Sequence, residues 1–234
     1  MREDWATVQR SNRRPRVDQL LPGAVTLALG AFVLLYRGVR RGTWAERDLA
    51  ATVAVQRWRA PWFRRFMQLV SWPGFPPQSR ILPWLLVGYW LIRGQRLEAL
   101  FQLLGWGTGF VSFLVKHRVK RPRPNHPTVV VALARIGGTS FPSGHVLNYA
   151  GIYGTFAYLL LRQESPSWIR RLILGALGTL LSFVGVSRMY LGHHWLTDVT
   201  ASYLLGSSYL WALTSVYERV RTIPHRSIDG TVQD

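Results

Sequence analysis

The chain has 234 residues, a length that predicts a single domain. It contains no cysteine, which excludes disulfides, thiol nucleophiles and cysteine metal ligands. Its formal net charge is +18, but the basic residues flank apolar runs, so membrane lipids are the expected partners and nucleic acid is not.

The apolar runs predict an all-α, polytopic membrane protein with one integral-membrane domain over residues 1–234. The first run has no persuasive small-x-small cleavage site, which favours a retained span over a signal peptide. Small residues such as Gly151 and Gly175 indicate close packing between helices in lipid. We expect six transmembrane helices at about 20–36, 81–92, 97–115, 146–161, 169–186 and 196–217.

The connection between the first two spans differs from the other connections. Residues 44–70 mix apolar and aromatic side chains with arginine, a pattern typical of one or two basic amphipathic helices lying in the membrane interface with aromatics inward. A soluble cap over the helix bundle is the alternative. Polar tails are expected at 1–18 and 218–234.

A short polar turn before the last span holds the first candidate catalytic residues. His194 and Asp198 are four residues apart, which predicts one shared helical face. A carboxylate at the membrane edge is costly and usually has a partner and a task. Asp198 can hold one ring N–H of His194 and leave the other nitrogen as a nucleophile. The guanidinium of Arg188 suits phosphate oxygens. An ordinary helix pair would also explain the spacing of His194 and Asp198.

Two further clusters precede this turn. Lys116 to Pro124 reads Lys-x6-Arg-Pro, and Phe141 to His145 reads Phe-Pro-Ser-Gly-His. Ser143 is a plausible N-cap of the following helix, where N–H groups make a ready anion site. Because two spans separate the second cluster from the third, all three clusters are expected on one membrane face, opposite both termini.

In this order the three clusters resemble the signature of the type 2 phosphatidic acid phosphatase family, which shares its site with glucose-6-phosphatase and the vanadium haloperoxidases. The signature covers residues 116–198, and the flanking apolar runs fit the family's six-helix plan. The resemblance implies a lipid phosphate or diphosphate phosphatase that needs no metal or cofactor. Its substrate would be undecaprenyl diphosphate, phosphatidylglycerophosphate, phosphatidic acid or a lipid A phosphate.

The resemblance also implies a role for each motif residue. His194 would attack phosphorus to form a phosphohistidine, and Asp198 would fix its tautomer. His145 would protonate the departing oxygen and then activate water. The phosphate-binding residues would be Lys116, Arg123, Ser143, Gly144 and Arg188.

Neighbouring residues that the signature does not select receive other interpretations. Arg118, Lys120 and Arg121 fit ordinary charges at the membrane edge, and His193 is expected on another helix face, in the interface. A zinc site is not expected, since the sequence has no His-Glu-x-x-His and no acidic cluster.

Two other functions remain open: a lipid phosphotransferase that uses the same phosphoenzyme, and a non-catalytic lipid-phosphate binding or transport protein. The nucleophile–orienter pair favours an enzyme. Positive charge is balanced between the two predicted faces, but long loops weigh less in the charge rule. We therefore expect a cell-membrane protein with cytoplasmic termini and an outward-facing site.

Overall fold

The computed structural model describes residues 17–132, 136–163 and 167–222, and every regular element within them is helical. This confirms the predicted all-α class. A 3₁₀ turn at Trp72–Gly74 follows α3, and a π-helical turn at Tyr149–Tyr153 joins α7 to α8. The ten α-helices are α1 Val17–Arg41, α2 Ala45–Gln56, α3 Pro61–Ser71, α4 Gln78–Ile92, α5 Arg96–Leu104, α6 Gly107–Val119, α7 Gly144–Asn148, α8 Gly154–Leu161, α9 Trp168–Tyr190 and α10 Leu196–Arg221.

Three helical stretches in the described ranges are long and apolar enough to cross a membrane: Pro22–Arg41, Arg96–Val119 and Trp168–Tyr190. They coincide with the predicted first, third and fifth spans. The third is built from α5 and α6, which meet at Gly105 and Trp106. The predicted second, fourth and sixth spans are observed as helices, and their crossing of the membrane stays a prediction.

The last helix extends further than expected. Glu218 accepts a hydrogen bond from the Tyr158 hydroxyl at 2.6 Å and pairs with Arg162 at 2.7 Å. These contacts tie the end of α10 to α8, so 218–221 belong to the helix and not to the predicted polar tail. Residues 1–16, 164–166 and 223–234 lie outside the described residues.

The segment between the first two predicted spans forms two helices, α2 and α3. Phe63 packs edge-on against Tyr190 of α9, and the neighbouring Met67 is fully buried. Trp58 and Trp62 are instead 60% and 63% exposed. Unlike Phe63, these two tryptophans therefore do not pack into the helix bundle, and their direction relative to the membrane stays a prediction.

The helix α10 is central to the fold because it packs against α1, α2, α7 and α9. A buried apolar cluster joins α7, the π-helical turn, α9 and α10 through Val146, Tyr149, Val184 and Val199. This packing brings the start of α10 next to the start of α7 and the end of α9, where the polar clusters lie.

Glycine permits a close approach at one of the two positions singled out in the sequence. A Cβ added at Gly151 would overlap the carbonyl oxygen of Gly105 and the hydroxyl of Thr108. The prediction of close packing is confirmed there. It is wrong for Gly175, where an added Cβ would meet no atom within 4 Å.

We predict that Gly151→Ala lowers the thermal unfolding midpoint in detergent, because overpacking a filled interface costs about 1–3 kcal/mol. Gly175→Ala is the matched control and should leave the midpoint unchanged or raise it slightly, since alanine favours helix. Equal midpoints for the two variants would contradict the observed packing.

Candidate active site

The three sequence clusters meet where α10 begins. In the loop after α6, Arg123 places Nη1 3.2 Å from Nε2 of His194 and donates to the His193 carbonyl oxygen at 2.9 Å. At the start of α7, the amide nitrogen of Ser143 lies 3.5 Å from the carbonyl oxygen of Asp198. The fold therefore brings together segments that lie far apart in the sequence.

A tight turn at 191–195 connects α9 to α10. Gly192 has a φ of +71°, and a Cβ there would overlap a carbonyl oxygen of the 128–132 loop, so the turn requires glycine. The turn directs the rings of both His193 and His194 into the protein, where they are almost fully buried. The expectation that His193 lies in the membrane interface is therefore wrong.

His194 and Asp198 come together in a different way from the one predicted. His194 lies in the turn and Asp198 in the first turn of α10, so they do not share a helical face. The carboxylate caps the helix instead, accepting the Trp195 amide at Oδ2 with a distance of 3.0 Å. The same oxygen lies 3.5 Å from His194 Nδ1, so the cap also aims the carboxylate at the imidazole.

Arg188 is fully buried and is held by neutral groups. It donates through Nη1 to the hydroxyl of Ser71 at 3.1 Å, and Nη2 lies 2.6 Å from Nδ1 of His193. The ring of Phe75 covers the guanidinium, with its centre 5.0 Å from Cζ. Since no carboxylate among these partners neutralises it, the guanidinium retains its attraction for an anion.

Positive charge surrounds His194. Burial is the main reason that the pKa of His194 is held well below its usual range, and the charges of Arg188, Arg123 and Lys116 lower it further. The Lys116 ammonium is fixed by donating to the Thr139 carbonyl oxygen at 3.1 Å. The imidazole is therefore neutral near pH 7, and Nε2, beside Arg123, can act as a nucleophile.

The start of α7 contributes further polar atoms. His145 packs edge-on against Phe75, with ring centres 4.9 Å apart, and its buried Nε2 has no hydrogen-bond partner among the described residues. The hydroxyls of Ser143 and Ser112 are likewise buried without a partner there. Gly144 leaves the backbone open, because an added Cβ would meet only the Ser112 hydroxyl, 3.8 Å away.

The expected role of Ser143 needs one correction. It does occupy the N-cap position, but its hydroxyl makes no capping hydrogen bond. Its amide already donates to Ser202 Oγ at 2.7 Å. The hydroxyl of Ser143, rather than its N–H, is thus the group available to an anion.

Arg121 was interpreted as an ordinary basic residue at the membrane edge, and this is wrong. Its guanidinium bridges two buried carboxylates, with Nη1 2.5 Å from Asp198 and Nη2 2.5 Å from Asp48 of α2. Asp48 is 1% exposed and Arg121 is 13% exposed at its side chain.

Besides Arg121, sequence reasoning missed residues of the site that lie in α2 and in the segment from the end of α3 to the start of α4. Asp48 had a detectable signal, since it is a carboxylate in a strongly basic segment. Ser71, Gly74 and Phe75 had none, because the run from Ser71 to Pro77 indicated only a helix break. Within the described ranges, no group of three or more His, Asp or Glu side chains is arranged to hold a metal ion.

The fold and the site define a helical protein in which arginine and lysine side chains surround a buried, neutral histidine. The sequence matches the family model of the PAP2 superfamily over residues 98–222, more than half of the chain. The chain therefore belongs to the PAP2 superfamily.

Two proteins with phosphatase names are similar to this chain in sequence. Phosphatidylglycerophosphatase B of Bacillus subtilis (strain 168) is 27% identical over 195 residues, covering 81% of this chain and 93% of that protein. Undecaprenyl-diphosphatase of Sulfolobus acidocaldarius is 47% identical over 68 residues, 29% of each protein.

Two crystal structures are also similar. The first transmembrane PAP2 type phosphatidylglycerolphosphate phosphatase from Bacillus subtilis matches with a TM-score of 0.73 and 25% identity, over 86% of this chain and 98% of that one. Aquifex aeolicus LpxE shares the fold, with a TM-score of 0.56 and 20% identity over 72% and 94% of the two chains. With the three apolar helices, the first match identifies a membrane protein.

We predict that Gly74→Ala strongly reduces phosphatase activity, because the added Cβ would overlap the ring of His145. Phe75 and Tyr149 flank that ring, so it must leave its position. The expected loss is about 10- to 100-fold in kcat, as for other groups that orient a reacting side chain. Gly88→Ala, where an added Cβ meets no atom within 4 Å, is the control and should remain active. Normal turnover in Gly74→Ala would show that the ring position does not matter.

Proposed function

We propose that this protein is a membrane-embedded hydrolase that removes phosphate from a lipid phosphate or diphosphate through a phosphohistidine at His194. The observation that carries the proposal is the buried neutral imidazole, with Nε2 3.2 Å from Arg123 and further cations at Lys116 and Arg188. The names of the relatives, a phosphatidylglycerophosphatase and an undecaprenyl-diphosphatase, support a lipid substrate.

In the first step, Nε2 of His194 attacks phosphorus and forms the N–P bond. The bond from phosphorus to the leaving oxygen breaks, and its electron pair stays on that oxygen. His145 supplies the proton that the leaving oxygen needs. Burial, together with the charge of Arg188, holds the pKa of His145 well below its usual range in the free site, so the ring takes up this proton when the phosphate anion binds. Asp198 faces Nδ1 of His194 and stabilises the positive charge that the phosphorylated ring acquires.

The phosphoryl oxygens carry the charge that the site must neutralise. Phosphoryl transfer depends on positioning and on electrostatic stabilisation of these oxygens. The donors are the side chains of Lys116, Arg123, Arg188 and Ser143 and the backbone at Gly144. Three cations serve the role that a metal ion has in other phosphotransfer enzymes, so the proposed mechanism needs no metal.

In the second step, His145 acts as a base. It takes a proton from water while the water oxygen attacks phosphorus, and the N–P electron pair returns to His194. Inorganic phosphate leaves with His145 protonated again and His194 neutral, so both histidines have regained their starting protonation states. An alcohol in place of water would make the same phosphoenzyme a phosphotransferase.

The proposal includes the way in which the chain lies in the membrane. Six helices would cross it, with α2 and α3 in the interface, where exposed Trp58 and Trp62 lie beside arginines. The termini would be cytoplasmic and the site would face outward. The similarity to a crystal structure described as transmembrane supports the membrane setting.

The purified protein is expected to release inorganic phosphate from phosphatidylglycerophosphate, undecaprenyl diphosphate or phosphatidic acid in detergent containing EDTA. His194→Ala should reduce release at least about 1,000-fold, since the nucleophile is lost. His117→Ala, at an exposed position, is the control and should remain active. Acid-labile phosphate on His194 after rapid quenching would identify the intermediate.

Three results would count against this proposal. Activity retained in His194→Ala would exclude the nucleophile, and loss in EDTA restored by a divalent ion would exclude the metal-free mechanism. Phosphate transfer to an added alcohol without release of free phosphate would indicate a phosphotransferase.

His145→Ala should separate acid catalysis from phosphate binding. A lipid monoester expels a strongly basic alkoxide, whereas a diphosphate expels a much weaker base. Phosphoenzyme formation should therefore slow about 100-fold or more for the monoester and much less for the diphosphate. Single-turnover kinetics on a matched pair with the same lipid chain would measure this difference. Equal losses for the two substrates would show that His145 only binds phosphate.

A further inference from the structure

A buried ion bridge lies behind the proposed nucleophile. Arg121 contacts Oδ1 of Asp198 through Nη1 and Oδ2 of Asp48 through Nη2, both at 2.5 Å. Asp48 also accepts the amide of Thr197 at 2.8 Å and its hydroxyl at 2.8 Å. The same hydroxyl lies 2.7 Å from Arg121 Nη1. Two carboxylates, one guanidinium and one threonine thus form a closed network around the first turn of α10.

This network determines which oxygen of Asp198 faces the imidazole. Because Arg121 holds Oδ1, the carboxylate must turn Oδ2 towards the Trp195 amide and Nδ1 of His194. Asp48 adds a second restraint by binding the Thr197 amide, one of the N–H groups that a helix start leaves unpaired. The carboxylate that orients His194 is therefore fixed by a residue of α2 and by a residue of the loop after α6.

The charges of the network explain why two carboxylates are present. A lone Arg121–Asp198 pair would be neutral, and the guanidinium would compete with His194 for the negative charge of Asp198. Asp48 shares the charge of Arg121, so the three groups together carry one net negative charge. That charge lies next to the imidazole that becomes cationic when it is phosphorylated, and in a buried site such a charge acts strongly.

We infer that Asp48 and Arg121 are positioning residues for phosphoryl transfer: both hold the Asp198 carboxylate against His194, and Arg121 stabilises its negative charge. The inference rests on the proposed function. It assigns a role in the reaction to α2, a helix that precedes the region matched by the family model.

The test compares kcat, KM and inhibition by inorganic phosphate for Arg121→Lys, Arg121→Gln and Asp48→Asn. Asparagine can still accept from Thr197 but no longer shares the charge of Arg121, and lysine keeps the charge but lacks the fork that bridges two carboxylates. All three variants should lose about 10- to 100-fold in kcat, as is typical when the partner of an oriented histidine is removed. KM and the inhibition constant for inorganic phosphate should change less than about threefold, because the cations that bind the ground-state phosphate, Lys116, Arg123 and Arg188, are untouched.

Arg118→Gln is the matched control, since Arg118 is an exposed cation three residues before Arg121. The inference fails if Arg121→Lys keeps the kcat of this control, or if KM and inhibition by inorganic phosphate deteriorate as much as kcat. Rapid-quench measurement of phosphohistidine should locate the loss in the first step. If buried Asp48→Asn does not fold, Arg121→Lys decides the question alone. Wild-type protein that releases no phosphate would instead refute the proposed function, and the inference with it.

Discussion

The structure depends on confining positive charge within a small buried volume around His194. Like charges in a poorly solvated site repel strongly, so each needs a partner that stabilises it. Arg188 illustrates how this is achieved, because its partners are a hydroxyl, an imidazole and an aromatic face. Neutral partners of this kind hold the cation in place without competing with an incoming phosphate.

The same constraint explains the position of the carboxylates. Asp198 and Asp48 lie behind the imidazole and pair with Arg121, while the side chains of Arg188 and Arg123 contact neutral groups. If a carboxylate faced Arg188 and Arg123, it would pair with them and weaken their attraction for an anion. The site is therefore polarised, with anions on one side of His194 and cations on the other.

The sequence predicted the helical class and the motif positions because both depend on local signals. Apolar runs indicate helices, and the motif spacing identifies which polar residues belong together. It could not identify the residues that α2 and the 71–75 segment supply. Those contacts join positions far apart in the chain, such as Asp48 and Thr197 at a separation of 149 residues, and no local pattern reports them.

Two errors of interpretation have the same physical origin. Arg121 resembled its basic neighbours, because a run of charges does not show which member has a buried partner. His193 was expected on a different helix face from His194, but 191–195 is a turn, and both rings point inward. Gly151 and Gly175 make a similar point about packing, since a small residue permits a close contact without specifying which helix face makes it.

The ion bridge also has a consequence for biosynthesis. Asp48 and Arg121 emerge from the ribosome before α10, the last helix of the described chain. The bridge contains two acids and one base, so Asp48 can neutralise Arg121 before Asp198 has been synthesised. When α10 folds, Asp198 can then pair with an Arg121 guanidinium that already has Asp48 as a counterion. The order of the acids along the chain thus protects a costly cation during assembly.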